Sequence, residues 1–232
     1  MADERLKGLE DRLGYRFKEA AYLSQALTHK SYANENRSVA IGHNERLEFL
    51  GDTVLDFIVS DILMALCPES QEGDLSKLRS VIVSEPSLAS VARSLEFGDF
   101  LYLGKGEEHT GGRDKNSLLA NALEAVIAAM YLDGGLDASY RFVRENFEPD
   151  IKSMLTNGLV YDFKTDLQEK CQSRFGTLPR YRVVNESGPD HQKVFEVEIE
   201  ADGKTLGRGS GSSKKEAEQM AAREALEMLR GE

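Results

Sequence analysis

Residues 43–52 read His-Asn-Glu-Arg-Leu-Glu-Phe-Leu-Gly-Asp. This stretch contains a signal for the start of a helix, followed by regularly spaced acidic side chains. Asn44 is a typical helix N-cap, because its short polar side chain can accept hydrogen bonds from the free N–H groups of a first turn. Glu45, Glu48 and Asp52 then fall at i, i+3 and i+7. This spacing places three carboxylates on one helical face.

The three carboxylates have two interpretations. Like charges at this spacing repel, and a sequence tolerates the cost where a cation or a basic partner lies on the face. The alternative is a solvated acidic stripe, of the kind found on polar helices. This helix is not polar, because apolar residues surround the acids at positions 47, 49, 50, 54, 55 and 57. The face is therefore expected to be partly enclosed.

Residues 118–130 form a second apolar segment, in which Asn121 and Glu124 are the only polar side chains. A helix that is apolar all round is buried, and a buried Glu must be paired, protonated or bound to a metal ion. If Glu124 faces Glu48 and Asp52, their hard oxygen ligands suit magnesium or manganese.

An ion pair between Glu124 and Arg46 or Arg79 is the alternative to a metal site. Zinc protease, nucleotidase and serine hydrolase functions have no support, because the sequence contains no H-E-x-x-H, no Walker loop and no G-x-S-x-G.

The helical periodicity of these segments extends over most of the first two thirds of the chain. Leu6, Leu9 and Leu13 share one face, and the same spacing recurs in residues 45–66, 74–83, 86–96, 117–132 and 137–154. We therefore predict an all-α domain over residues 1–156, followed by a linker at 157–161.

The period changes in residues 162–232. A helix is predicted at 162–175, and strands at 181–184, 195–201 and 204–208, with a hairpin turn at Asp202-Gly203. In the second strand, apolar residues alternate with Glu196, Glu198 and Glu200, which predicts one buried and one solvated face. A last helix at 213–229 completes an α-β-β-β-α domain, so the fold class is α+β with two domains.

Composition restricts the remaining function classes. The net charge is −11; residues 160–232 carry 12 basic and 14 acidic residues, which leaves 17 and 26 in residues 1–159. The acid excess therefore lies in the first domain, where cations could occupy an acidic site. The apolar stretches 53–67 and 118–132 are interrupted by acidic residues, so we expect no membrane span.

The location of the protein follows from its N-terminus and its cysteines. The first residues carry charges of both signs and no apolar segment, so we expect no secretory signal and a cytoplasmic protein. Cys67 and Cys171 form no CxxC motif, and both are predicted to be reduced structural thiols.

Two motifs carry a resemblance to a known family. Residues 45–52 resemble the signature of the ribonuclease III family, and residues 119–125, Leu-Ala-Asn-Ala-Leu-Glu-Ala, resemble its second acidic motif. The resemblance implies an all-helical endonuclease domain that forms a homodimer, in which Phe49 inserts into the partner subunit. It also implies a site in each subunit that uses Mg²⁺, or Mn²⁺ as a substitute, to cut one strand of double-stranded RNA.

The resemblance assigns roles to the acidic residues and products to the reaction. Glu48, Asp52 and Glu124 resemble the family's metal ligands and catalytic acids, and Glu45 and Glu72 resemble its supporting catalytic acids. The implied products have 5′-phosphate and 3′-hydroxyl ends with short 3′ overhangs. Precursors of ribosomal RNA and structured messenger RNA are the implied substrates.

Asn121 departs from the family pattern, which has a metal-binding Asp at this position. An Asn carbonyl oxygen can still coordinate a hard cation, but it brings no charge and should bind more weakly. We expect an active enzyme, because the remaining acids can hold the ion. The alternative is a catalytically weakened regulator that binds double-stranded RNA without cutting it.

The last domain resembles a double-stranded RNA-binding domain. Ser213 and Glu216 have the spacing of a capping box. Lys214 and Lys215 lie in the first turn, where the helix dipole disfavours cations unless an anion docks; two solvated lysines are the alternative. By resemblance, the RNA-binding residues are Thr165, Gln168 and Glu169 on the first helix, His191 in a loop, and Ser212, Ser213, Lys214 and Lys215 at the last helix.

A metal-dependent phosphohydrolase of small molecules is a further alternative. For such an enzyme residues 162–232 would be superfluous, so removal of that domain would leave its activity intact.

Overall fold

The computed structural model of the chain describes residues 4–36, 42–156, 163–189 and 193–230. The chain divides into two compact units, Met1–Ile151 and Lys152–Glu232. The described residues form helices α1 (Glu4–Leu13), α2 (Ala20–Ala26), α3 (Lys30–Glu35), α4 (Glu45–Leu66), α5 (Glu72–Ile82), α6 (Glu85–Ser94), α7 (Phe97–Phe100), α8 (Lys105–His109), α9 (Asn116–Gly134), α10 (Leu136–Thr156), α11 (Phe163–Phe175) and α12 (Lys214–Arg230). The strands are β1 (Arg180–Ser187), β2 (Val194–Ala201) and β3 (Lys204–Gly211).

The predicted fold class is confirmed, with a helical first unit and an α-β-β-β-α second unit. The long helices α4, α5, α6, α9 and α10 lie where the apolar periodicity predicts them. The short helices α3, α7 and α8 were not predicted, because one or two turns contain too few residues to establish a period.

The start of α4 differs from the prediction in one respect. Asn44 occupies the N-cap position, but its side chain makes no capping hydrogen bond. Instead the residue is buried, and its backbone N–H donates to the carbonyl oxygen of Thr28 at 2.9 Å. Asn44 therefore fixes the position of α4 against the loop that precedes α3.

Helix α9 is the centre of the first unit and packs against α4, α6 and α2. By length and composition it is the one helix in the described part of the chain that could cross a membrane. Its apolar surface is used inside the unit instead, because ten of its residues are buried: Leu119, Ala120, Ala122, Leu123, Ala125, Val126, Ile127, Ala128, Ala129 and Met130.

Helices α4 and α9 approach most closely at Gly51. A Cβ atom placed on Gly51 would lie 1.9 Å from the carbonyl oxygen of Glu124, which is far inside van der Waals contact. Only a residue without a side chain fits there. The close approach places the acidic residues on either side of Gly51 next to the polar residues of α9.

The second unit is a three-stranded antiparallel sheet in the order β1-β2-β3, with α12 packed on β2 and β3 and with α11 packed on α12. Three glycines of β3 face α12, and a Cβ atom on Gly209 would lie 2.1 Å from the backbone nitrogen of Ala221. The core is formed by small and apolar residues of four elements: Leu167, Cys171, Val197, Ile199, Ala201, Leu206, Ala217, Ala221, Ala222, Ala225, Leu226 and Leu229.

The strict alternation predicted for β2 is wrong at one position. Glu196 and Glu200 are exposed, but Glu198 is only 3% exposed. Two arginines cover its carboxylate: Arg182 donates to Oε1 at 2.6 Å, and Arg208 donates through Nε to Oε2 at 2.8 Å. Glu198 thus lies on the face predicted to be solvated, but arginine side chains rather than water surround it.

The close approach at Gly51 predicts the effect of one substitution. Gly51→Ala should destabilise the first unit by about 3 kcal/mol or more, because the new methyl group forces α4 away from α9. The expected fall in Tm is about 6–12 °C, measured by thermal unfolding. Gly8→Ala is the control, because nothing lies within 4 Å of its Cβ position and Ala is the better helix former. An unchanged Tm for Gly51→Ala would contradict the packing described.

Candidate active site and nucleic-acid interface

The crossing of α4 and α9 brings together the four residues predicted as metal ligands. Glu48 and Asp52 lie on α4, and Asn121 and Glu124 lie on α9. Asp52 is exposed and the other three are half-buried. The site is therefore open to solvent at Asp52 and partly enclosed by the two helices, and Glu124 is less buried than the apolar residues that surround it on α9.

The electrostatic state of Glu124 shows how closely the carboxylates approach. Burial is the main cause that raises the pKa of Glu124 from 4.5 to about 7, and the charges of Asp52, Glu48 and Asp56 raise it further. Half of the Glu124 side chains would be protonated near neutral pH. The site therefore carries an electrostatic cost that a cation would relieve.

The alternative ion pair for Glu124 is not found. Arg79 donates from Nη1 to the Ser60 hydroxyl at 3.0 Å, and its Nε lies 3.9 Å from Oδ2 of Asp56. Arg46 is exposed, and neither arginine is among the groups that shift the pKa of Glu124.

Asn121 acts on Glu48 in a way that an Asp in its place could not. Burial is the main cause that raises the pKa of Glu48, and the charge of Glu45 raises it further. The side-chain amide of Asn121 acts against this shift, because a donor near the carboxylate favours its charged form. An Asp at 121 would add a fourth negative charge and lose the donor. Asn121 thus reduces the repulsion within the site.

The four residues fit a hard divalent cation by donor type and by charge. Their oxygen atoms are the ligands that Mg²⁺ and Mn²⁺ prefer, and positive charge would stabilise all three carboxylates. Across the described ranges, no three Asp, Glu, His or Cys side chains converge into a ready-made cage for an ion. The fit is therefore one of charge and chemistry.

Glu45 and Glu72, the predicted supporting acids, take part in other contacts. Glu45 forms an ion pair with Lys30 at 3.0 Å, and Oε2 lies 3.6 Å from Nδ1 of His43. The Lys30 hydrogen bond holds the pKa of Glu45 below its usual value. Glu72 begins α5 and accepts a hydrogen bond from Ser76 at 2.8 Å. Neither Glu45 nor Glu72 is among the carboxylates that raise the pKa of Glu124, and their catalytic roles stay predictions.

Sequence reasoning missed two contributors to the site. Asp56 lies one turn beyond Asp52 and raises the pKa of Glu124; its i+4 spacing from Asp52 was a readable signal. Lys30 places a positive charge beside Glu45 and partly offsets the burial that raises the pKa of Glu48. No periodicity connects Lys30 with α4, because the two belong to different elements.

The second unit exposes the residues predicted to bind RNA. Thr165, Gln168 and Glu169 lie on one face of α11 and line a shallow groove of about 460 Å³, together with Gln172, Ser173 and Leu178. His191 lies outside the described residues.

The predicted capping box at α12 is confirmed in one of its two bonds. The Glu216 N–H donates to the Ser213 hydroxyl at 3.2 Å, as expected. The Glu216 carboxylate, however, accepts hydrogen bonds from the backbone and hydroxyl of Ser212, at 2.7 and 2.6 Å. Lys215 is exposed, and Lys214 forms an ion pair with Glu186.

Two family models match the chain, one for each unit. Residues 19–151 match the model described as ribonuclease-III-like, and residues 163–229 match the double-stranded RNA binding motif. Ribonuclease 3 of Geobacter sulfurreducens is 49% identical over 96% of this chain and 90% of its own length. Ribonuclease 3 of Myxococcus xanthus is 50% identical over 98% of this chain and 87% of its own length.

The chain belongs to the ribonuclease III family. Among solved structures, the nuclease domain of ribonuclease III from Campylobacter jejuni is similar, with a TM-score of 0.56 and 43% identity. The match covers 62% of this chain and 99% of that domain, whose description concerns flexibility in a region involved in dimer formation. As a ribonuclease III family member, the protein is an endoribonuclease with a double-stranded RNA-binding domain. The inert regulator is not favoured.

The raised pKa of Glu124 predicts how the stability of the metal-free protein depends on pH. The unfolded chain ionises Glu124 more readily than the folded chain, so the free energy of unfolding should fall as pH rises from about 4.5 through about 7. Glu124→Gln should lose this contribution. In chelator, we expect the Tm of the variant minus that of the wild type to be larger at pH 8 than at pH 5.

Addition of Mg²⁺ at pH 8 should raise the Tm of the wild type more than that of Glu124→Gln. Identical pH profiles for the two proteins in chelator would contradict the electrostatic description of the site.

Proposed function

We propose that this chain is a Mg²⁺-dependent endoribonuclease that cleaves both strands of double-stranded RNA. The products would have 5′-phosphate and 3′-hydroxyl ends with short 3′ overhangs, and Mn²⁺ would substitute for Mg²⁺. The observation that carries the proposal is the α4–α9 crossing, where burial and then the charges of three neighbouring carboxylates raise the pKa of Glu124 to about 7. Such repulsion in an open site is typical of a place that binds a divalent cation.

Glu48, Asp52, Asn121 and Glu124 are the residues that would hold the ion. When bound, the ion would lower the pKa of an attacking water and stabilise charge on the departing 3′-oxygen. The contribution of the protein itself to the reaction would be to hold these ligands in place. The Asn121 amide favours the charged form of Glu48, and the packing of Gly51 on Glu124 holds the two helices at a fixed separation.

Lys30 adds a positive charge at the edge of this acidic site. Its Nζ lies 3.0 Å from Glu45 and reduces the local negative charge. Lys30 and Glu45 are exposed, whereas Glu124 of α9 is half-buried, so Lys30 is open to a phosphate group that approaches from solvent. We propose Glu45, beside Lys30 at the edge of the site, and Glu72, at the start of α5, as supporting acids of the reaction.

The second unit would bind the duplex by its shape. The α11 groove residues Thr165, Gln168 and Glu169 would contact ribose hydroxyls in a minor groove, and His191 would enter the next one. Four residues at the start of α12 would contact the intervening phosphates: Ser212, Ser213, Lys214 and Lys215. Such contacts read A-form geometry, so little sequence preference is expected.

A homodimer would supply one site for each strand. Helix α4 exposes an apolar stripe, in which Phe49 is 80%, Phe57 56% and Met64 61% exposed. Their spacing of eight and seven residues keeps them on one face. A stripe of this kind marks a protein interface, and a two-fold axis would let the same stripe meet itself. We also propose a cytoplasmic location and a role in processing ribosomal and messenger RNA precursors.

The nuclease proposal is tested by incubation of the purified chain with long double-stranded and single-stranded RNA, in Mg²⁺ and in chelator. Short duplex products should appear only from the double-stranded RNA and only with Mg²⁺. Asp52→Asn should lower the cleavage rate by at least about a hundredfold, because it removes a ligand charge, while RNA binding in a gel shift stays unchanged.

The variant Asn121→Asp distinguishes between the two proposed functions, an active enzyme and a catalytically weakened regulator. The added carboxylate should tighten Mg²⁺ binding, so that cleavage reaches half its maximum at a lower Mg²⁺ concentration. If wild-type protein binds the duplex without cutting it and Asn121→Asp restores cutting, the regulator replaces the enzyme as the function.

The dimer proposal predicts a large effect of Phe49→Ala. Two copies of Phe49 would be buried, at about 2 kcal/mol each, so the dimer dissociation constant should rise about a thousandfold. Analytical ultracentrifugation measures this directly. Met228→Ala is the control, because it removes an exposed apolar side chain from the second unit. An unchanged dimer in Phe49→Ala would place the interface elsewhere.

A further inference from the structure

One of the lysines proposed to bind RNA phosphate is already paired within the protein. Nζ of Lys214, the first residue of α12, lies 3.0 Å from Oε1 of Glu186. The other oxygen of the same carboxylate, Oε2, lies 3.9 Å from Nζ of Lys193. Glu186 therefore faces two lysines that border the proposed RNA-binding surface.

The sheet fixes the position of this ion pair. Glu186 on β1 pairs directly with Phe195 on β2, so the two side chains lie on the same face. Phe195 packs against the core of the second unit, and Nζ of Lys214 lies 5.5 Å from the centre of its ring. The ring and the carboxylate together attract the ammonium group to one place. The register of β1 and β2 thus places the Glu186 carboxylate and the Phe195 ring on the same face, where both contact Lys214.

We propose that Glu186 is an internal competitor for RNA phosphate at Lys214. This inference rests on the proposed function, in which Lys214 contacts the RNA backbone. In the free protein the carboxylate of Glu186 occupies the position beside Lys214 that a phosphate oxygen would take. Duplex RNA must displace it, and the displaced carboxylate then lies next to the RNA backbone and repels it.

The competition acts through charge more than through the strength of the pair. Both side chains are well exposed, at 60% for Lys214 and 38% for Glu186, so water weakens their attraction. Loss of this ion pair should therefore leave the fold of the second unit intact. The carboxylate charge, however, remains on the RNA-binding surface after displacement. It cancels about one of the positive charges that would otherwise neutralise phosphates.

Glu186→Gln is the direct test, with the full-length protein and a double-stranded RNA in chelator so that binding occurs without cleavage. Because the affinity of a duplex binder depends on salt with a slope of about 0.9 per neutralised phosphate, the variant should bind about fivefold more tightly at about 150 mM salt. The advantage should fall about threefold between about 50 and about 200 mM salt, since the slope becomes steeper by about 0.9.

Glu196→Gln is the matched control. It removes the same charge from the neighbouring strand, at a residue that is exposed and is adjacent in sequence to Phe195, so its side chain lies on the opposite face of the sheet. If Glu186 acts only through the net charge of the protein, both variants should bind RNA equally well. A local competitor predicts tighter binding for Glu186→Gln alone.

Lys214→Gln distinguishes a failure of this inference from a failure of the proposed RNA contact. If the contact is correct, Lys214→Gln weakens binding about fivefold at about 150 mM salt. In the Lys214→Gln background, Glu186→Gln should lose the part of its gain that comes from freeing Lys214 and keep the part that comes from removing a negative charge beside the RNA. Weaker binding by Lys214→Gln without any gain from Glu186→Gln would overturn the competitor role alone. Unchanged binding by Lys214→Gln would overturn the contact itself.

Discussion

The contact between Gly51 and the backbone of Glu124 is the constraint on which the candidate active site depends. No side chain fits between α4 and α9 at this point, so the helices lie close enough for carboxylates on one to act on those of the other. Glu48 and Asp52 flank Gly51 on the same helix. The same contact therefore determines both the packing of the two helices and the distances between the acidic residues. A change in the helix separation would alter both.

Repulsion within the site is the electrostatic consequence of this packing. Burial and the neighbouring carboxylates raise the pKa of Glu124 to about 7, so the candidate active site holds a group that titrates near neutral pH. Asn121 moderates the repulsion, because its amide favours the charged form of Glu48 and brings no charge of its own. In the proposed function, a cation would neutralise the acidic site of the first unit, and the lysines at the start of α12 would contact phosphate.

Features within one helix or one strand could be predicted from the sequence. The common face of Glu48 and Asp52 follows from helical spacing, and the α-β-β-β-α order follows from the change of period after the first domain. Contacts between distant elements could not be predicted in the same way. The burial of Glu198 depends on arginines from two other strands, and the position of Glu45 depends on Lys30. Periodicity describes which face a residue occupies, but it contains no information about what covers that face.

Proton release on metal binding tests the central claim most directly. Calorimetric titration of Mn²⁺ into the protein, in buffers of different ionisation enthalpy, counts the protons released for each ion bound. If Glu124 has a pKa of about 7 and binds the ion as a carboxylate, about 0.9 proton should be released at pH 6 and about 0.1 at pH 8. Glu124→Gln should release almost none at either pH. Binding at pH 6 without proton release, or equal release by the variant, would contradict a metal site built on Glu124.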